Sequence, residues 1–511
     1  MSIELTTKTI EAEKIYFDGC CEQAVDSDIS LPDYCPDIMR ILKCIIQTNI
    51  TNSKLSGDRA SADGNAEITV IYSDEKNNVC TWKTDYPFSK YAELPSAYDS
   101  AVTVCTAKTD YVNCRAVSKR KVDIHGVISL RFKVCGLENE TVISSASGDG
   151  IQLRKKGIDI SSAVACAGKS FQLSSVEKVD DAMPGIGKVL SCFAAPVINE
   201  TKIIKGKLLI KGELAVRAAY CSDSDGRESA VLGCSLPFNE ILEAADFSDT
   251  CKTDIQLNVT RLSAEPKVDN DGEYRYMNVN AEVSAYAAAY ESSCVNTVID
   301  AYSTQTEIET KYSLIDFKKI AANISDTFNV KQNIDVASLN PQKIFTSVLS
   351  APEIKCSFAD RKMTVKGKIP LSLIIIDADG IPVSCEREAE FEYSHPTECE
   401  AENLICTPSI AVSGFSCTLN GNGSTEFKAE INISAVIFSS MQERVLTSLA
   451  VTDSCAEKDK KPSLTVCFCS GEESLWDIAK HYNTTVEEIM EENELSTDCP
   501  QSKTMLMIPI K

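Results

Sequence analysis

Apolar and polar residues alternate with a period of two along most of this chain. One run sets Ala66, Ile68, Val70 and Tyr72 against Glu67, Thr69 and Ile71. A second sets Leu214, Val216, Ala218 and Tyr220 against Glu213, Ala215, Arg217 and Ala219. A third carries Ile369, Leu371, Leu373 and Ile375. Successive side chains of a strand point to opposite faces, so each run predicts a strand with one face on a core and one towards water. The runs recur because the sequence repeats itself. Pro36 and the run Ile38-Met39-Arg40-Ile41-Leu42 match Pro184 and Ile186-Gly187-Lys188-Val189-Leu190, and Gly64 and Gly212 follow at the same interval. A third copy starts at Pro341, passes Phe345 and Val348-Leu349, and reaches Gly367 after a slightly shorter interval.

Each copy continues through a polar, turn-rich stretch (73–78, 222–227 and 377–380) to an aromatic strand end at Phe88, Phe238 or Phe391. Each closes on further alternation: Val122, Ile124 and Ile128; Met277, Val279 and Val283; Phe427, Ala429, Ile431 and Ile433. Short strands with turn signals between them predict antiparallel sandwiches. The expected fold is mainly β: three tandem β-sandwich-like repeat domains at 1–155, 156–315 and 316–455. The segment before each Leu-rich run is helix-compatible and predicts one short helix per copy. Gly185-x-Gly187-Lys188, too short to cradle a phosphate, reads as such a helix start. Pro370, on the outward side of its run, predicts an edge strand.

The period changes near the C-terminus. Residues 456–463, rich in Lys and Asp and carrying Pro462 near their end, read as a linker to a last domain at 464–511. There Leu475, Ile478, Ala479 and Tyr482 fall at i, i+3, i+4 and i+7, one helical face, with Ser474 as a cap. Asn483 suits the left-handed residue that ends a helix. Thr485 and Glu488 form a capping box for a second helix whose inner face is Val486, Ile489 and Met490. Apolar strands, Leu464-Thr465-Val466 and Leu506-Met507-Ile508-Pro509, flank the two helices. Trp476 lies off the helical stripe; it either covers the edge of this small core or anchors a partner.

This order of motifs resembles a LysM module, an α+β domain of βααβ type. The resemblance implies a shallow groove lined by Glu472, Glu473, Ser474 and Leu475 on one side and Ile489, Asn493, Glu494 and Leu495 on the other. Most modules of the family bind N-acetylglucosamine polymers there; some in spore-forming bacteria bind a protein. The usual Gly-Asp-Thr-Leu is replaced here by Glu472-Glu473-Ser474-Leu475, with Gly471 one place earlier. A Glu where backbone amides approach the sugar weakens the expectation of glycan binding. Tandem β-rich repeats before a LysM module are similar to the SipL-type spore-coat morphogenetic proteins. That resemblance implies a non-enzymatic scaffold in the mother-cell cytosol, gathered at the forespore surface, whose LysM module binds a SpoIVA-like coat-organising ATPase. The alternative is a peptidoglycan-binding protein acting on wall or cortex glycan.

Composition narrows the classes further. A net charge of −23 over 511 residues argues against nucleic acid and anionic membranes as partners. Glu487, Glu488, Glu491, Glu492 and Glu494 crowd the second helix and suit a basic protein surface. The N-terminus shows neither a basic segment nor an apolar one of secretory type, and no apolar run approaches a membrane span, which predicts a cytosolic chain. The 23 cysteines then read as reduced thiols, many of them small hydrophobes in strands. His395, Cys399 and Cys406, with Cys385 before them, are the densest metal-like group, but their spacing fits no standard zinc site. No cofactor is expected. With three histidines and no nucleophile motif, no enzyme is expected either.

Overall fold

A computed structural model describes residues 3–98, 100–222, 227–244, 247–398, 403–421, 423–455, 464–468, 474–497 and 505–509. The first unit runs through β1 (Glu4–Ser30), β2 (Arg40–Ser56), β3 (Arg59–Ser73), β4 (Val79–Glu93), β5 (Val102–Ser118) and β6 (Lys121–Ser147). The second repeats it as β7 (Ile151–Lys178), β8 (Ile186–Ile204), β9 (Lys207–Ser222), β10 (Ser229–Glu243), β11 (Lys252–Lys267) and β12 (Tyr276–Ser303). The third divides two strands: β13 (Thr306–Asp335), β14 (Pro341–Leu349), β15 (Glu353–Ala359), β16 (Lys362–Asp377), β17 (Pro382–Pro396), β18 (Leu404–Cys406), β19 (Ser409–Leu419) and β20 (Ser424–Cys455). The chain ends with β21 (Leu464–Phe468), α1 (Leu475–Tyr482), α2 (Val486–Glu492) and β22 (Met505–Pro509).

Every unit pairs two antiparallel sheets. They are ordered β2-β3-β4 and β1-β6-β5 in the first, β8-β9-β10 and β7-β12-β11 in the second. In the third, β16 is flanked by β14 and β15 on one side and β17 on the other, while β20 is flanked by β13 and by β18 and β19. The alternating runs form the central strands, and their apolar sets face the opposite sheet: Ile68, Val70 and Tyr72 pack with Ile124, Ile128 and Leu130 in one core. The repeated glycine has a steric cause. Gly64, Gly212 and Gly367 lie directly opposite Phe88, Phe238 and Phe391. A Cβ on these glycines would come within 2.4, 2.6 and 2.2 Å of the facing Cζ, so the bare backbone is the bed for the ring.

Matched residues of the three units meet in common clusters. Leu42, Leu190 and Phe345 are each skipped by a register shift against the central strand, and all three are buried in one cluster with Ile71, Ala219 and Ile374. A bulge re-aims the unpaired side chain, and here it turns one hydrophobe from each unit towards the other two. Lysines close the same ring. Lys188 of the second unit donates to the Thr81 carbonyl of the first, Lys343 of the third to the Arg227 carbonyl of the second, and Lys43 of the first pairs with Glu386 of the third at 2.8 Å.

The long strands extend beyond the sandwiches as three two-stranded ribbons, β1–β6, β7–β12 and β13–β20, and these pack on one another. Ile143, Val298 and Leu446 precede matched register shifts and share one buried cluster. Nearer the sandwiches, the Tyr286 and Tyr290 hydroxyls both donate to the Glu13 carboxylate of the first unit. Val104, Ile320 and Val436 bring all three units into that layer.

Two sequence expectations fail. The segments before the Leu-rich runs are not α-helices: β2 begins at Arg40 and β8 at Ile186, while the third unit has only a 3-10 turn, Ala337–Leu339. Gly185-x-Gly187-Lys188 therefore opens a strand. The buried bulge residues demand extended flanks, and tertiary packing overrides a short local pattern. Pro370 is not on an edge strand. It sits in central β16, opposite the gap between β14 and β15, where its carbonyl still accepts from Ser350 N–H at 3.0 Å. The missing N–H of proline coincides with the break in the flanking strand.

Candidate functional site

The C-terminal module is built from its caps inward. Ser474 Oγ accepts from Asp477 N–H at 3.2 Å and donates to the Asp477 carboxylate at 2.6 Å, starting α1. Asn483 ends it in the left-handed region at φ 54°. The Thr485–Glu488 capping box starts α2. Leu475, Ile478, Ala479, Ile489, Leu506 and Ile508 form the core beneath the two-stranded β21–β22 sheet. Asn493 ties α2 to that sheet: its side chain donates to the Met507 carbonyl and accepts from Met507 N–H, both at 2.7 Å.

The module docks on the tip of the second two-stranded ribbon, β7–β12. Tyr302, at the end of β12, joins the module's core, donates to the Thr484 carbonyl at 2.8 Å, and meets Trp476 edge-on at 4.8 Å. Asp300 accepts from Trp476 Nε1 at 2.8 Å, from Lys480 Nζ at 2.7 and 2.8 Å, and from the Tyr312 hydroxyl at 2.7 Å. Trp476 and Lys480, four residues apart, share one face of α1, which lets one carboxylate reach both. Burial alone would raise the Asp300 pKa, but the bonds from Lys480, Trp476 and Tyr312 outweigh it and hold the carboxyl below its usual range. Aligned on the matched register shift, the first and third units carry Ser145 and Ser448 where the second has Asp300, and Ser147 and Ala450 where it has Tyr302. The second unit alone has this receptacle.

The outer face of the module's sheet is apolar and open to solvent. Leu464, Val466, Phe468, Met505 and Met507 are all exposed, Phe468 to 77%. Val466 faces Met507 and Phe468 faces Met505 across the two strands. Glu487, Glu491, Glu492 and Glu494 are exposed on and just after α2. A family model described as SipL, SPOCS domain matches residues 37–117 and 185–267, and one described as LysM domain matches residues 471–509.

The chain carries two SPOCS segments and a LysM domain.

No curated protein and no solved structure matches it. The two families together suggest a sporulation protein with a module of the peptidoglycan-binding type, and neither family is enzymatic. The SPOCS matches cover β2 to β5 of the first unit and β8 to β11 of the second, the stretches that hold the repeated Gly–Phe pair. No helix of the described residues is long and apolar enough to cross a membrane.

The structure places the residues of the expected LysM groove differently from one another. Leu475 and Ile489 are fully buried in the core. Leu495 packs partly against it, Ser474 is the α1 cap, and Asn493 is committed to β22. Glu494 is exposed, with φ 51°. Glu472 and Glu473 lie outside the described residues, as do Gly471 and the linker 456–463. Of the acidic cluster, Glu488 is the capping-box residue and accepts from Thr484 Oγ1 at 2.8 Å. Trp476 does cover the core edge, and the surface it anchors is the chain's own Asp300 and Tyr302.

Asp300 and Tyr302 escaped the sequence reading because nothing in strand alternation marks a receptor for another domain. The one available signal is the departure from the small residues at matched positions in the other two copies. The open sheet face has its signal in β22, where Met505, Leu506, Met507 and Ile508 are apolar at successive positions and so put apolar side chains on both faces. Elsewhere, His125 lies exposed between Asp26 and Asp123, and these raise its pKa, the Asp26 hydrogen bond most. Among the described residues no group of three or more His, Cys, Asp or Glu is placed to hold a metal. Cys399, of the metal-like group, lies outside them.

Proposed function

We propose that this chain is a non-enzymatic scaffold of the spore envelope whose LysM domain holds a second protein, at the forespore surface in the mother-cell cytosol. The observation that supports a protein partner is the open face of Val466, Phe468, Met505 and Met507. Contiguous exposed apolar surface marks an association site. Glu487, Glu491 and Glu492, exposed on α2 of the same module, favour a partner that also presents Lys and Arg. A coat-organising ATPase of SpoIVA type is the partner this reading assigns. Glu494, exposed just after α2, would meet the partner rather than cradle a sugar. The three repeat units, locked through their bulge residues and long strand pairs, would supply a rigid body for assembly.

The test is co-purification of the full chain with a SpoIVA-type protein, for wild type and for a Val466→Asp, Phe468→Asp variant. Loss of capture in the variant, with the same melting behaviour, is the expected result. The glycan reading replaces it if chitooligosaccharides bind saturably to both proteins and the variant retains full capture.

A further inference from the structure

A cleft of about 660 Å³ lies where the three units meet. Its wall takes β2 and β5 from the first unit, β8, β9 and β11 from the second, and the end of β14 and Phe415 of β19 from the third. Arg217 of β9 projects into it, half-buried, with its guanidinium 4.2 Å above the Phe415 ring. Of the cleft's other cations, Lys83 pairs with Glu67 at 2.6 Å, Lys43 with Glu386 at 2.8 Å and Lys108 with Glu353 at 4.0 Å, while Arg261 is exposed to solvent. Among the described residues no carboxylate pairs with Arg217, in a chain whose net charge is −23. Burial accordingly lowers its pKa.

The fold does not require a cation at this place. Counted from the central-strand glycine, the matched position is Thr69 in the first unit and Ser372 in the third, both buried hydroxyls. A guanidinium with its charge uncompensated is costly to bury, and the π face of Phe415 offsets only part of that cost. The planar fork of Arg suits bidentate oxyanions, and Phe193, Leu349 and Phe415 line the cleft around it with apolar surface.

We propose that the cleft between the three units binds a small organic oxyanion, a carboxylate or a phosphate monoester, with its charged head on Arg217 and its apolar body against Phe193, Leu349 and Phe415. Such a ligand would touch all three units at once and stabilise their assembled arrangement by mass action.

The experiment is calorimetric titration of the full chain, at constant ionic strength, with benzoate and separately with phenyl phosphate. One saturable site per chain is expected for at least one of them. Benzoate alone would identify the carboxylate class, and phenyl phosphate alone the phosphate class. Arg217→Met should weaken binding at least tenfold, and Arg217→Lys, which keeps the charge without the fork, several-fold. A guanidinium with a merely structural role would lower the melting temperature on replacement and leave anion affinity unchanged. No saturable binding of either probe, or unaltered affinity in Arg217→Lys should the methionine variant not fold, overturns the proposal.

Discussion

The indole N–H of Trp476 donates to the Asp300 carboxylate at 2.8 Å across 176 residues of chain. This bond, with the two from Lys480, joins the LysM domain to a unit from which it is distant in sequence. Asp300→Asn keeps the shape but leaves Lys480 without its counter-charge. It is expected to weaken docking by about 1–3 kcal/mol, the range for charge-assisted hydrogen bonds. Faster amide hydrogen exchange around α1, with that of β2 to β5 unchanged, is the measurement that checks it.

The same carboxylate sets an acid limit. Its folded pKa lies below the unfolded value of about 3.9. The folded state therefore binds fewer protons, so its stabilisation is present above about pH 4 and is lost as pH falls through the folded pKa. Docking, followed by Trp476 fluorescence in a Trp82→Phe background, should hold at pH 5 and fail well below pH 4. Asp300→Asn should flatten that profile.

Asp254 acts with the opposite sign. Burial, and then the charge of Glu13, push its carboxyl up to about 6. A folded pKa above the unfolded one means that the native state takes up the proton first. The charged form is thus a burden above pH 6, relieved as pH falls towards 4. Asp254→Asn should raise stability by about 2 kcal/mol at pH 7.5 and by little at pH 4, read from urea midpoints at the two pH values.

The glycines divide sharply. At Gly212 a Cβ would meet the Val197 carbonyl oxygen at 2.1 Å and the Phe238 ring at 2.6 Å, whereas at Gly233 nothing lies within 4 Å. Gly212→Ala is expected to cost about 1–3 kcal/mol through overpacking, and Gly233→Ala less than about 0.5 kcal/mol. Chemical denaturation of the two variants makes the comparison.

The acidic surface of α2 is expected to govern how fast a partner arrives. Replacing Glu487, Glu491 and Glu492 with Lys should slow association at low salt by about tenfold or more, with a smaller effect at high salt. Glu488 is left untouched because its side chain completes the helix cap. Stopped-flow association at two ionic strengths decides the matter.

Much of the fold was legible in sequence, because alternation and steric need both leave marks. Ile68, Val70 and Tyr72 announce a buried strand face, whereas Gly64 and Phe88 stood out only as repeat landmarks until strand pairing laid the ring on the bare backbone. The LysM caps, Ser474 and Thr485, are local and were readable for that reason. Leu42, Leu190 and Phe345 were noticed as repeat landmarks, but their bulges were not, since a register shift depends on a partner strand that local pattern does not contain. Pro370 misled for the same reason: the gap that accommodates it lies between β14 and β15, not in its own run. At the site, the groove was assigned from family spacing, while the Asp300–Trp476 contact depends wholly on tertiary arrangement.

Three near-copies joined in one polypeptide give the molecule what a homotrimer would not have: unequal vertices. A homotrimer with this outline would present three identical tips and could crosslink its neighbours through all of them. Here Ser145 and Ser448 leave two vertices blank and Asp300 fills the third, so each particle offers one LysM handle in one fixed place. A ligand of the LysM domain therefore meets one copy per chain, held against a single vertex.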